Sequence, residues 1–280
     1  MERCELRTDI LTGVVSAHPD LSAKPFPHPV RTLPTPLGPC ALCAASNDPV
    51  IDGFVREPDG SLREVFVAGN LTRVLANRWS PLGHSATAEL LMPRRHVTSF
   101  EDLSDDELVD LFATWCARRQ SHVGHAIHNL AFANVGYDAG ATQPHLHAQV
   151  VSTDLFGHPT LRMNTSPEAV LADVARAEVH NLVIASNDAA ITYAPYAPAN
   201  DGELRIAADT PEALAFALRD LIVVVNDRIG PSSYNLVLHG HNRLVAQVVP
   251  RVNHGILYTT YLGLVLVVMP PATLATRLRD

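Results

Sequence analysis

Two segments of this chain are almost the same strand. Residues 145–151 read HLHAQVV and residues 243–249 read RLVAQVV, identical at five of seven positions. Their neighbours match in the same order. ELLMPRRH (89–96) pairs with ELRIAADT (203–210) from the shared Glu-Leu, and NLAFANVG (129–136) pairs with YNLVLHG (234–240). Between the first two segments of each set lies a helical pattern. A chain that repeats a strand–helix–strand–strand unit must build the same local topology twice, and that limits the architecture more than any single motif does. Gln149 and Gln247 then take equivalent places, while His145 and His147 have no counterpart in the second copy.

Local patterns fill in the elements. Ser104 and Glu107 form a capping box ahead of apolar residues at Leu108, Leu111, Phe112 and Trp115, which predicts a helix. Further helices are expected over 166–183 and 211–227, and strands within 63–77 around a turn at Gly69-Asn70, at 88–93 and at 129–136. The apolar run 261–269 is too short to span a bilayer and reads as a buried strand. Pro25, Pro27, Pro29, Pro34 and Pro36 favour an extended arm before residue 40. The expected class is therefore α+β, a duplicated domain with a mostly antiparallel sheet and flanking helices. Its expected divisions are an arm with a C-x-x-C (1–62), a first repeat with the chemistry (63–165) and a degenerate second repeat (166–280).

Composition narrows the partners. The 280 residues are 47% hydrophobic and 18% charged, with a formal charge of −8. This describes a globular chain, and the acidic balance argues against a general nucleic-acid partner. The N-terminus is charged from its second residue, unlike a secretory leader, and four cysteines make no disulfide framework. A cytoplasmic protein with no membrane partner is expected.

On a strand, His145, His147 and Gln149 share one face, with Leu146, Ala148 and Val150 on the other. Three polar groups on one face need partners if they are buried: a metal, a substrate, or solvent if they are not. Cys40 and Cys43, spaced C-x-x-C, supply two ligands of a tetrahedral zinc, with a redox pair as the rival reading. A redox pair usually opens a helix, and CALCAASNDPV carries no clear helix signal. His96, at a strand-to-helix junction, offers a third ligand, and either His145 or His147 a fourth, leaving the other histidine for catalysis.

NVGYDAGATQPHLHAQ (134–149) resembles the active-site segment of galactose-1-phosphate uridylyltransferases, a branch of the histidine-triad (HIT) superfamily. MPRRHVTSFEDLSDDEL, ELRTDILTG, the C-x-x-C, LANRWSPLG, PYAPANDGELRI, SYNLVLHG and PPATLATRLRD fall in that family's order, so the likeness spans nearly the whole chain. The resemblance implies one structural Zn²⁺ per chain on Cys40, Cys43, His96 and His145. It implies His147 as nucleophile and Gln149 as the residue that stabilises its adduct, with Asn77, Asn134, Gly136, Gly140 and Thr142 around the nucleotide. The implied reaction is a ping-pong transfer of a nucleotidyl group between sugar 1-phosphates, with a nucleotide sugar as donor and a homodimer as the assembly. Phosphorolysis or hydrolysis of a nucleotide sugar or dinucleoside polyphosphate is the alternative within the superfamily, and a zinc-stabilised nucleotide-binding protein the alternative outside catalysis. The chain departs from the uridylyltransferases at Leu146, where they have proline, at Thr142, where serine is usual, and at Arg78, where an acidic residue is usual. Its arm offers Lys24 in place of phosphate-binding arginines. RLVAQVV lacks the histidines of the family's second metal site, so that site is expected to be absent.

Overall fold

The structure is a computed structural model. It describes residues 5–18, 40–56, 60–77, 86–123, 128–154, 165–230, 233–240, 243–251, 265–267 and 269–279. In chain order the elements are β1 (Glu5–Thr8), β2 (Val15–His18), α1 (Ala41–Asn47), β3 (Phe54–Arg56), β4 (Leu62–Ala68), β5 (Thr72–Ala76), β6 (Ala86–Pro93), α2 (Asp105–Ser121), β7 (His128–Val135) and β8 (Ala148–Thr153). There follow α3 (Pro167–Val179), β9 (Val183–Ser186), β10 (Ala190–Tyr193), β11 (Leu204–Ala208), α4 (Pro211–Arg228), β12 (Tyr234–His239), β13 (Leu244–Pro250), β14 (Val265–Leu266) and α5 (Pro271–Arg279). They fall into two compact units, Thr32–Phe156 and Met1–Arg31 with Gly157–Asp280.

In the first unit the antiparallel strands run β3-β4-β5-β6-β8-β7. α2 has the predicted capping box, with Glu107 N–H bonded to Ser104 Oγ and Ser104 N–H bonded to the Glu107 carboxylate. Its buried face is Leu108, Leu111, Phe112 and Trp115, the apolar set read from the sequence. Trp115 stacks on Phe100, Phe112 lies tilted against it, and Trp115 Nε1 donates to the carbonyl of Gln149 at 3.2 Å, tying the helix to β8. Glu89 on β6 accepts from both Arg118 and His122 of the same helical segment, and His122 Nδ1 lies 2.6 Å from Ser152 Oγ.

Arg95 forks onto Glu107 through Nε at 2.9 Å and Nη2 at 2.6 Å. That guanidinium, with help from Ser104 and against the effect of burial, holds the Glu107 carboxyl down to about 2. A carboxyl depressed on folding stabilises the fold above its unfolded value of 4.5, and the contribution is lost as the pH falls toward 2. Glu107→Gln should therefore flatten the acid limb of a stability-versus-pH profile between those values. Identical acid limbs for the two chains in urea titrations would remove the assignment.

The second unit has the order β12-β13-β11-β10-β9 and a separate small sheet, β1-β2-β14. The strand–helix–strand–strand succession β11-α4-β12-β13 repeats β6-α2-β7-β8, with the last strand in each case seated between the other two. The register refines the alignment. Gln149 lies opposite Leu90 and Phe132, and Gln247 lies opposite Arg205 and Val237. With the glutamines equivalent, Leu90 is the counterpart of Arg205, one residue away from the match made through Glu-Leu. Burial follows the register: Ala131 and Ala133 are buried with Phe132 and Asn134 half-buried, as Leu236 and Leu238 are with Val237 and His239. A one-residue slip exchanges the two faces of a strand, so in β7 and β12 the burial agrees with this register.

Arg205 has no solvent exposure and binds three carboxylates. It meets Asp9 through Nη1 and Nη2 at 2.9 and 2.8 Å, Asp173 at 2.8 Å and Glu203 at 2.7 Å. Tyr193 Oη donates to Asp173 at 2.7 Å.

Three expectations change. The arm before residue 40 begins as a hairpin, β1 with β2, because Asp9 accepts from Leu11 and Thr12 and closes a turn at Gly13, while the prolines at 25–36 on which the extended arm was expected lie outside the described residues. The helix expected over 166–183 stops at Val179, where Asn181 takes a left-handed φ of 55° and Val183 starts β9. The strand expected in the run 261–269 is present at Val265–Leu266, parallel to β2, and 261–264 and 268 lie outside the described residues. A helix does open within the C-x-x-C, α1, so the absence of a helix signal there was no guide.

Candidate active site and metal centre

β7 ends at Val135, and the chain turns through Gly136 and Gly140, with φ of 83° and 85°. Side-chain-bearing residues avoid that region, which accounts for both glycines. Ala141 N–H closes the turn on Gly136 O at 3.1 Å. The strand expected from His145 starts at Ala148 instead. Pro144 precedes His145, and Leu146 N–H bonds to Val97 O at 2.7 Å, a loop carbonyl outside the sheet ladder. His145 and His147 thus stand on a short lead-in to β8, both buried, at 0% and 6% exposure.

His145 belongs to a cluster with Cys40, Cys43 and His96, whose ligand atoms all lie within 4.8 Å of one another. Cys43 Sγ is 3.1 Å from His96 Nδ1 and 3.6 Å from His145 Nδ1, and Cys40 Sγ is 3.9 Å from His145 Nδ1. Tetrahedral coordination with ordinary metal–sulfur and metal–nitrogen bonds puts such atoms about 3.6 Å apart, so the four residues fit one ion. Burial pulls the His145 imidazole down to about 4, against the opposing bond to Pro93 and with help from His96 and His147. It is therefore neutral, as a ligand must be. Its other nitrogen, Nε2, donates to Pro93 O at 2.9 Å, the usual outer partner of a metal-bound histidine. Burial, with Cys40 adjacent, lifts the Cys43 thiol to about 11. The two histidines, not the helix argument, separate the readings.

His147 stands apart from that cluster. Its Nδ1 donates to the carbonyl of His145 at 2.9 Å, so the lone pair is on Nε2. Burial lowers its pKa, the bond to His145 opposing, and the ring stays neutral at pH 7. Asn77 Nδ2 donates to Gln149 Oε1 at 3.1 Å, which leaves the Gln149 NH₂ as the donor side of that amide. Asn77 follows β5, and its N–H is held by Ala88 O at 2.8 Å. Asn134 Nδ2 lies 4.0 Å from where a Cβ on Gly140 would stand, and Thr142 is exposed just beyond the turn. Arg78 and Lys24 lie outside the described residues. The Asn77–Gln149 bond and the grip of Trp115 on the Gln149 carbonyl were not foreseen. Alternation shows the face of a residue but not its partners on other strands.

No protein-family profile matches the chain, and no curated protein sequence does. Solved structures do. An ADP-glucose phosphorylase from Arabidopsis thaliana, solved with ADP-glucose bound, superposes with a TM-score of 0.73 at 16% identity, covering 99% of each chain. A galactose-1-phosphate-uridylyltransferase-like protein from the same plant gives 0.70 at 15% identity over 100% of this chain and 99% of its own. A uridylyltransferase gives 0.63 at 16% identity, over 100% and 98%. The chain has the fold of these proteins from end to end, the duplicated α+β architecture that the motifs implied. Among the described residues no helix is long and apolar enough to cross a membrane.

Proposed function

We propose that the protein is a nucleotidyltransferase that carries a nucleotidyl group on His147 between two phosphorylated sugars, in the manner of the galactose-1-phosphate uridylyltransferases. One observation carries this reading: a buried, neutral imidazole fixed through Nδ1 to a carbonyl, with its free nitrogen available for attack and an amide two residues on. Nε2 attacks the α-phosphorus of a nucleotide sugar, and the bond to the bridging oxygen breaks, releasing sugar 1-phosphate. The phosphate oxygen of a second sugar 1-phosphate then attacks the same phosphorus, and the bond to Nε2 breaks. The His145 carbonyl stabilises positive charge on the ring while the adduct exists. The Gln149 NH₂ donates to a non-bridging oxygen as charge collects there, and a neutral amide offers no base to activate water. Asn77 orients that amide. Asn134, Gly136, Gly140 and Thr142 surround the nucleotide.

The metal is zinc, one ion per chain, on Cys40, Cys43, His96 and His145. Four protein ligands leave no open position, so its contribution is structural, and it fixes the segment that leads into His147. A homodimer in the cytoplasm is the expected assembly and place. An ADP-glucose phosphorylase shares the fold, so orthophosphate is the second acceptor considered.

Incubation with α-³²P-labelled nucleotide sugars should leave an acid-labile, alkali-stable label on the protein. Chasing the labelled chain with galactose 1-phosphate, orthophosphate or water then names the acceptor. A wild-type chain that takes no label from any donor would undermine transfer through a covalent histidine adduct. Gln149→Ala should slow label formation by about 10²–10³-fold, the scale of losing one donor to a developing negative charge. Rapid-quench labelling reads it, and an unchanged rate removes Gln149 from the chemistry.

A further inference from the structure

The helix that opens inside the C-x-x-C is held at its far end by groups the proposed chemistry does not use. α1 has seven residues, too few to persist unsupported, and Asp48-Pro49 stops it. Its last carbonyls need outside donors. Arg73 on β5, 2% exposed, supplies them: Nη1 donates to Ala45 O at 2.9 Å and to Asp48 O at 2.8 Å. Arg94 Nη2 reaches Asn47 O at 3.3 Å. A guanidinium here also meets the negative end of the helix. Ser46, fully buried on the same helix, aims its hydroxyl at Pro93 O, 3.1 Å away, and at Arg94 O, 3.3 Å away. Pro93 O is the same carbonyl that accepts from His145 Nε2. The cysteine helix and the histidine ligand are therefore fastened to one atom of β6.

We propose that Arg73 and Ser46 are positioning residues of the metal centre. They set Cys43 against His96 and His145 before an ion binds, so the ion enters a formed site and loses little affinity to ordering the chain. The inference rests on the metal reading above. Its signature is a change in metal affinity among chains that remain folded without metal.

The test uses the full chain as wild type, Arg73→Met, Arg73→Lys and Ser46→Ala. Zinc affinity is measured by competition with a chromogenic chelator, and thermal melting of each metal-free chain is recorded beside it. Arg73→Met and Ser46→Ala should each weaken zinc binding by about 10-fold, the low end of the cost of losing a group bonded directly to a ligand, since both act one bond further out through α1 and the Pro93 carbonyl. Arg73→Lys, which keeps a charged donor, should lose less. Variants that melt lower without metal yet bind zinc as tightly as wild type would reduce both residues to scaffold and overturn the proposal. If Arg73→Met does not fold, Ser46→Ala decides by the same criterion. A wild type that binds no zinc removes the metal reading itself, whereas a zinc-binding wild type with unchanged variants removes only this inference.

Discussion

His147→Ala should take no label from any nucleotide sugar and lose turnover on the order of 10⁶-fold, the scale of removing a covalent nucleophile. The expectation is specific to this ring. His145, two residues earlier, has Nδ1 toward two thiols and Nε2 on Pro93 O, so both its nitrogens are engaged. His147 engages Nδ1 alone, on the His145 carbonyl. The alanine variant removes that bond and the nucleophile together, so circular dichroism and zinc content should be checked against wild type. Label that persists in a folded His147→Ala chain would move the nucleophile elsewhere. His145→Ala makes the complementary case. It should lose zinc first, and labelling only as the segment before β8 loosens.

Arg205→Ala should cost about 3–5 kcal/mol, since removing one member of a buried ionic group leaves the others uncompensated. Here three carboxylates would be left, on Asp9, Asp173 and Glu203, each almost wholly buried. The loss should show in urea titrations as an earlier transition of the unit containing residue 205, with cleavage near the β1–β2 hairpin appearing sooner in limited proteolysis. Arg205→Met combined with Asp9→Asn, Asp173→Asn and Glu203→Gln should recover part of the loss, because a neutral cluster owes no desolvation of charge. A stability unchanged by Arg205→Ala would mean the cluster contributes nothing net.

The parts legible in the sequence were those with a local period. The α2 cap and apolar face and the strands around the Gly69 turn are short-range patterns, and the structure has them. Cys40 and Cys43 are legible from their C-x-x-C spacing, whereas His96 and the choice of His145 over His147 came from the family resemblance; the structure brings these four together. Features that depend on distant partners were hidden. α1 has no cap signal because its end is held by Arg73 and Arg94, from other elements. Every position of β11 is buried, so no alternation marks which residues face which side, and nothing near Arg205 announces that Asp9 will meet it. His145 and His147 were read as strand because H-x-H-x-Q alternates, yet Pro144 and the bond from Leu146 to Val97 keep them off the ladder.

The two compact units divide the chain unevenly. Thr32–Phe156 is continuous, whereas the other unit joins Met1–Arg31 to Gly157–Asp280. During synthesis, the continuous unit with the four metal ligands and His147 can close as soon as its last strand leaves the ribosome. The first hairpin must wait. Asp9 has no arginine until residue 205 is made, and β2 has no parallel neighbour until Val265. The unit made first in part is therefore completed last. The growing chain can bring its four candidate metal ligands and His147 together while its own beginning is still unpartnered.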